Sequence, residues 1–252
     1  MMMRFVSLIS IVLFVGITGA VEGSHVKPSG PVPKWKFSGI FGTFDRPAVQ
    51  RGYQVYREVC SSCHSMRKIA FRNLREIGFS EAEVKAIAGS YTVTDGPNES
   101  GDMFERPGIP SDYFPSPFPN REAAAASNNG AYPPDLSLII KARHSGPDYV
   151  YRLLTGYKGT EADENGLYSN SAFPGGRIAM APPLSDDLVS YLDGTSSKVE
   201  NMAFDVVNFL QWAAEPEMES RKKLGIKVVV SLMIGTVLVF IVNKRLWSVL
   251  YK

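Results

Sequence analysis

Cysteine is nearly missing from this chain of 252 residues, which has two, Cys60 and Cys63. Two cannot staple a disulfide scaffold or complete a four-cysteine zinc or iron–sulfur site. Histidine is scarce as well, with three in all. No sign of charge dominates, since 27 Lys and Arg face 25 Asp and Glu for a formal net charge of +2. No internal repeat and no sustained apolar–polar alternation is present, which argues against a solenoid or a β-sandwich. At 44% hydrophobic and 21% charged residues, the composition is that of a globular chain, neither disordered nor polytopic. Its length allows one moderate domain or two small ones. The near-neutral balance hides an asymmetry. Every charge after Glu219 is basic (Arg221, Lys222, Lys223, Lys227, Lys244, Arg245, Lys252), and residues 1–20 carry only Arg4. Residues 21–220 therefore hold 19 bases against all 25 acids, a net of −6. That sign is the wrong one for a nucleic-acid-binding body.

The two ends point to a membrane. Arg4 precedes an apolar run from Phe5 to Ile17, which closes on the small residues Thr18-Gly19-Ala20. This is the order of a secretory leader, and the run is short for a span. We therefore expect a leader over 1–20, of the bacterial export type because Arg/Ser-rich transit-peptide character is lacking. At the other end, Leu224–Asn243 is a run of 20 residues with Lys227 as its one charge. That length just crosses a hydrocarbon layer of roughly 30 Å if the lysine snorkels. Trp247 and Tyr251 then stand at interfacial depth. Basic residues bracket this run on both sides, so they do not set its direction. The leader sets it: an exported body over 21–220, an anchor over 221–245 and a short cytoplasmic tail over 246–252.

Between these ends, helices alternate with long loops. Asp45-Arg46-Pro47 predicts a helix start, with Asp45 as cap, and Val49, Tyr53, Tyr56, Val59/Cys60 and Cys63 follow at helical spacing. A second helix is expected over about 66–88. Residues 95–134 contain eight of the 17 prolines, too many for regular helix or central strand. They also hold Phe104, Tyr113, Phe114, Phe118 and Tyr132, which predicts an ordered loop laid over something apolar. Residues 135–156 read as helix broken at Gly146-Pro147, and 157–197 as loop. Val199, Met202, Ala203, Val206, Val207 and Leu210 mark a last amphipathic helix, ending near Glu215-Pro216.

Both cysteines fall in Cys60-Ser61-Ser62-Cys63-His64, a C-x-x-C-H. This is the pattern of covalent c-type haem attachment. On a helix, positions three apart share a face, so two thiols reach two vinyl groups on one porphyrin edge while His64 turns its imidazole to the iron. A thioredoxin-like site needs a βαβ setting that is lacking here, and zinc needs more ligands than His25 and His144 add. An electron carrier needs a second axial ligand. Met66 lies too near the attachment segment, Met202 reads as core, Met218 adjoins the anchor, and Met233 lies within it. Met180, in Arg177-Ile178-Ala179-Met180-Ala181-Pro182-Pro183, sits on a loop stiffened by two prolines. His144 is its rival, and the residues alone leave the choice open.

Several segments, in order from about residue 35 to the end, resemble the cytochrome c1 family. They are Arg51-Gly52-Tyr53-Gln54-Val55-Tyr56 through the C-x-x-C-H, Asp95-Gly96-Pro97-Asn98-Glu99, Pro133-Pro134-Asp135-Leu136-Ser137, Ala142-Arg143-His144, Leu154-Thr155-Gly156-Tyr157, Ala179-Met180-Ala181-Pro182-Pro183-Leu184 and Phe209-Leu210-Gln211-Trp212-Ala213-Ala214-Glu215-Pro216. The resemblance implies a mainly α, cytochrome c-like haem domain with long Pro/Gly-rich loops and one C-terminal transmembrane helix. It implies one covalent haem c held by Cys60 and Cys63, with His64 and Met180 as axial ligands and Arg143 and Tyr149 at the haem propionates. It implies cytochrome b, the Rieske iron–sulfur protein and cytochrome c as partners, within ubiquinol–cytochrome c reductase; the export-type leader adds the expectation of a bacterial inner membrane. No general acid, base or nucleophile is required for such work. One departure stands out: some bacterial members carry a further cysteine pair that this chain lacks. A tethered carrier serving an oxidase is the alternative reading. Residues 76–112 carry eight acids against Lys85 and Arg106, a candidate docking face for a basic partner.

Overall fold

Glycine at position 52 sets how the two central helices meet. In the computed structural model, which describes residues 31–250, α1 (Arg46–Glu58) crosses α5 (Val199–Ala214). A Cβ at Gly52 would lie 2.0 Å from the Asp205 carbonyl oxygen and 2.8 Å from the Phe209 Cβ, so only glycine admits this approach. Beside the crossing, Arg51 grips Asp205 with two parallel hydrogen bonds, Nε to Oδ2 at 2.8 Å and Nη2 to Oδ1 at 2.9 Å. Asp205 is 1% exposed, and the same guanidinium reaches Asp193 at 3.0 Å. α5 is buried along almost its whole length because α1 covers one side and α4 (Gly146–Thr155) another.

The Asp45 side chain does not cap α1. It pairs with Lys36 at 2.6 Å, and the helix is started instead by Pro47 and by the Asp45 carbonyl, which accepts from Val49. α1 also stops before the cysteines: Cys60 opens a 3-10 turn, Cys60–Ser62, and Cys63 is its C-cap. The helix expected over 66–88 divides in two. A 3-10 segment, Phe71–Ile77, ends at Gly78 with φ +107°, and α2 (Glu81–Gly89) restarts behind a Ser80/Glu83 capping box.

The proline-rich stretch holds more structure than expected. β1 (Thr92–Asp95) pairs antiparallel with β2 (Phe104–Pro107), and α3 (Arg121–Ala126) is a short helix capped by Asn120. Phe114 is its inserted aromatic. It packs against Phe71 with ring centroids 4.5 Å apart, inside a group that includes Tyr53, Tyr56, Tyr91 and Phe209. Tilted and edge-on pairs of this kind add about 0.5–1.5 kcal/mol each beyond area burial. Gly146-Pro147 begins α4 rather than breaking a helix: Ser145 and Gly146 take positive φ and turn the chain in. Residues 157–197 are not all loop either, since β3 (Tyr157–Ala162), β4 (Tyr168–Asn170) and β5 (Arg177–Ile178) form a small antiparallel sheet. Its strands are too short and irregular for an alternation to register.

α6 (Met218–Leu250) is one continuous helix. Its stretch Met218–Ser248 is long and apolar enough to cross a membrane, reaching a mean hydropathy of 2.5. The helix begins before the expected anchor boundary at 221 and runs on through 246–250. The proposed leader, His25 and the last two residues lie outside the described residues.

Candidate haem site

The attachment turn is built locally. The amides of Cys63 and His64 both donate to the Cys60 carbonyl, at 3.2 and 2.9 Å. Ser61 and Ser62 tie back through their hydroxyls to the carbonyls of Arg57 and Val59. Cys63 closes the turn as its C-cap, three positions from Cys60, so the two thiols stand near each other. The thiols are free and not joined to each other. Burial pushes the Cys60 thiol up to about 12, with Cys63 adding to it. A thiol so protonated is a poor redox nucleophile and a poor metal ligand, which is the opposite of an activated C-x-x-C. Among the described residues no cluster of three or more His, Cys, Asp or Glu is placed to hold a metal ion.

His64 is oriented from a distant segment. Its Nδ1 lies 2.8 Å from the carbonyl oxygen of Pro134, 70 residues away. With Nδ1–H donating there, Nε2 is left as the basic nitrogen, the usual arrangement of a metal-binding imidazole. Burial lowers the His64 pKa, with the Pro134 carbonyl pulling the other way. The Pro134 loop is in turn stitched to the motif. Leu136 donates to the Ser65 carbonyl at 2.8 Å, Lys68 to the Ser137 hydroxyl at 3.1 Å, and the Asp135 carboxylate accepts from Ser65 Oγ and the Arg67 amide. Burial alone would raise Asp135, but these bonds hold it below the usual carboxylate range.

Met180 follows β5 and is half-buried, between Gly175-Gly176, both at positive φ, and Pro182-Pro183. The Tyr157 hydroxyl donates to the Met180 carbonyl at 2.9 Å and so pins the loop to β3. Burial pushes that hydroxyl well up, with Tyr149 next in effect. Tyr149, in the first turn of α4, is half-buried. Burial raises its hydroxyl, and the neighbouring Arg143 guanidinium opposes this by charge and hydrogen bond. Arg143 itself is exposed in the turn before α4. Arg143, Tyr149, Tyr157 and the Met180 loop therefore form one connected side of the site. Cys60, Leu136, Tyr149 and Leu184 join a single apolar cluster, so the attachment turn, the Pro134 loop, α4 and the chain after Met180 all pack into one core. Met66 and Met202 are fully buried in that core, and His144 is exposed.

Sequence reasoning assigned no role to Pro134, Asp135 or Tyr157, although the quoted segments contain all three. Their part is played by a carbonyl, a set of amide contacts and a hydroxyl brought in from elsewhere in the chain, which no local pattern announces. The residues present fit a covalently held haem: two free thiols three apart, an imidazole with its second nitrogen already oriented, and a thioether on a braced loop.

A mainly α domain that presents C-x-x-C-H beside one C-terminal membrane helix defines the class of membrane-anchored c-type cytochromes. The Cytochrome C1 family matches residues 35–250, and the chain belongs to that family. It is 44% identical to the cytochrome c1 of Rhodospirillum rubrum, across 96% of both chains. It is 47% identical to the mitochondrial cytochrome c1 heme protein of Saccharomyces cerevisiae, over 92% of this chain and 75% of that one. A Bradyrhizobium diazoefficiens relative named cytochrome b/c1 is 47% identical, and the match spans 94% of this chain but 38% of that longer protein.

Proposed function

We propose that this chain is the subunit of ubiquinol–cytochrome c reductase that takes an electron from the Rieske iron–sulfur protein and passes it to cytochrome c. The observation that carries the reading is the C-x-x-C-H turn with His64 held through Nδ1 by the Pro134 carbonyl. A haem c bound there supplies a one-electron iron centre whose potential is raised by a thioether ligand. Cys60 and Cys63 would hold it covalently, His64 through Nε2 and Met180 through its sulfur would coordinate the iron, and Arg143 and Tyr149 would meet its propionates. Pro134 and Tyr157 fix the two ligand segments. The apolar core around Cys60, Leu136 and Leu184 excludes water and disfavours the extra charge of the oxidised state. Rieske centres lie at roughly −150 to +300 mV, so the accepting site must stand at a comparable or higher potential.

The partners follow from the family. A relative whose name joins b and c1 supports cytochrome b as a neighbour. For cytochrome c, the supporting feature is the acidic segment 76–112. Arg106 pairs internally with two of its acids, Asp95 and Asp112, which leaves Glu76, Glu81, Glu83, Glu99, Asp102 and Glu105 exposed to solvent. In this reading residues 1–20 are a removed leader, 21–220 lie on the periplasmic side of a bacterial inner membrane, α6 crosses it once over 221–245, and 246–252 end in the cytoplasm. Redox titration of the purified chain, followed in the visible after extraction of loose haem, tests the core of this. Retained haem with a high midpoint and the weak far-red Met–ferric band is expected. Met180→Leu should abolish the band and lower the midpoint, and an unchanged spectrum and midpoint would refute Met180 ligation.

A further inference from the structure

Two apolar side chains stand exposed on a turn that has no need of them for the core. Ile40 is 69% exposed and Phe41 83%. The turn is tightly made: Gly42 donates to the Gly39 carbonyl and Thr43 to that of Lys36, with Gly39 at φ +75°. It is also fastened to the start of α6. The Phe44 amide donates to Glu219 at 2.7 Å, and Arg46 pairs with the same carboxylate at 3.0 Å. Lys222 Nζ donates to the carbonyls of Phe37 at 2.6 Å and Gly42 at 3.1 Å. Glu219 and Lys222 precede Leu224, the first residue of the apolar run, by five and two positions. At about 1.5 Å per residue these latches stand roughly 8 and 3 Å above it. The headgroup layer occupies about 5–8 Å on each side of the hydrocarbon. The turn is thus held at headgroup height by groups of the anchor itself.

We infer that the Gly39–Gly42 turn is a second membrane contact: Ile40 and Phe41 insert at the headgroup–acyl boundary beside α6. Lys223 and Lys227, both exposed on α6, add attraction for phospholipid phosphates. A lipid surface is the occupant because two side chains flanked by glycines are far short of the roughly 800 Å² per partner that a stable protein interface buries. A helix alone leaves the head domain free to tilt, and a second contact at the same depth fixes its attitude to the bilayer. The inference rests on α6 being a span.

The test uses the full chain with haem attached, so that Cys60 and Cys63 are consumed and an introduced cysteine is the single thiol. Nitroxide labels are placed in Ile40→Cys, in Val237→Cys within α6, and in Glu164→Cys on the exposed β3–β4 loop. Each protein is reconstituted in phosphatidylcholine–phosphatidylglycerol vesicles, and collision with oxygen and with a water-soluble nickel complex is measured. The oxygen-to-nickel ratio at position 40 should be several-fold above that at 164 and below that at 237. Adding Phe41→Asp should return it to the value at 164, with the haem spectrum confirming the fold. A ratio at 40 equal to that at 164, or one indifferent to Phe41→Asp, overturns the inference while α6 stands. A water-exposed label at 237 overturns both.

Discussion

Replacing Gly52 by alanine adds one methyl group to the α1–α5 crossing and tests whether glycine there is a steric necessity. Two effects oppose. Alanine is the better helix former, by about 0.5–1 kcal/mol in a helix interior. Against that, the new Cβ would stand 2.0 Å from the Asp205 carbonyl oxygen and 2.5 Å from its carbon. Both contacts are helix backbone, so no side chain can swing aside. Relief to even 3.0 Å needs α1 and α5 to part by about 1 Å, which loosens Met202, Val206 and Phe209 along the buried seam. Overpacking typically costs about 1–3 kcal/mol, occasionally more, and a rigid backbone clash belongs at the upper end. The steric term wins, for a net loss of about 2 kcal/mol or more. At roughly 2–4 °C per kcal/mol for a domain of this size, the melting midpoint should fall by about 4–8 °C. Thermal and guanidinium unfolding of the haem-loaded chain in detergent, followed by circular dichroism, measures it. A variant as stable as the parent would refute the assignment of Gly52 as the close-contact residue.

Other outcomes follow from the same geometry. Arg51→Met strands the Asp205 carboxylate in the core, at a cost of about 3–5 kcal/mol. Burial already raises the Asp205 pKa, and losing Arg51 raises it further, so the native variant binds more protons than its unfolded chain above pH of about 3.9. Its deficit against the parent should therefore shrink at acid pH and be full above the raised value, and denaturation at several pH values checks this. The double change Arg51→Met with Asp205→Leu should recover much of the loss. Tyr157→Phe frees the Met180 loop from β3, so carbon monoxide binding by the ferrous protein should become faster than in the parent. Unchanged kinetics would remove Tyr157 as a brace. Reduction of a basic cytochrome c by the assembled complex should slow roughly tenfold or more as ionic strength rises from about 0.01 to 0.15 M, where the Debye length falls from about 30 to 8 Å. A rate indifferent to salt would remove the acidic segment as a docking face.

The sequence alone determined what depends on neighbours along the chain. The C-x-x-C-H spacing, the apolar run of α6, the buried stripe of α1 and the ordered segments of the family are all local patterns, and local patterns survive without coordinates. The family resemblance also singled out Met180, Arg143 and Tyr149. Only the tertiary structure decided how these parts are held. The acceptor on His64 Nδ1 is a backbone carbonyl, and every residue has one, so nothing in the letters distinguishes Pro134 from its neighbours. Gly52 looks like any helix-weakening glycine until Asp205 arrives 153 positions later. The break at Gly78, the small sheet of β3–β5 and the latch of the Gly39 turn onto Glu219 and Lys222 likewise rest on contacts set by packing and register. Residue identity limits such contacts without naming the partner, because the partner is chosen by which surfaces the whole fold brings together.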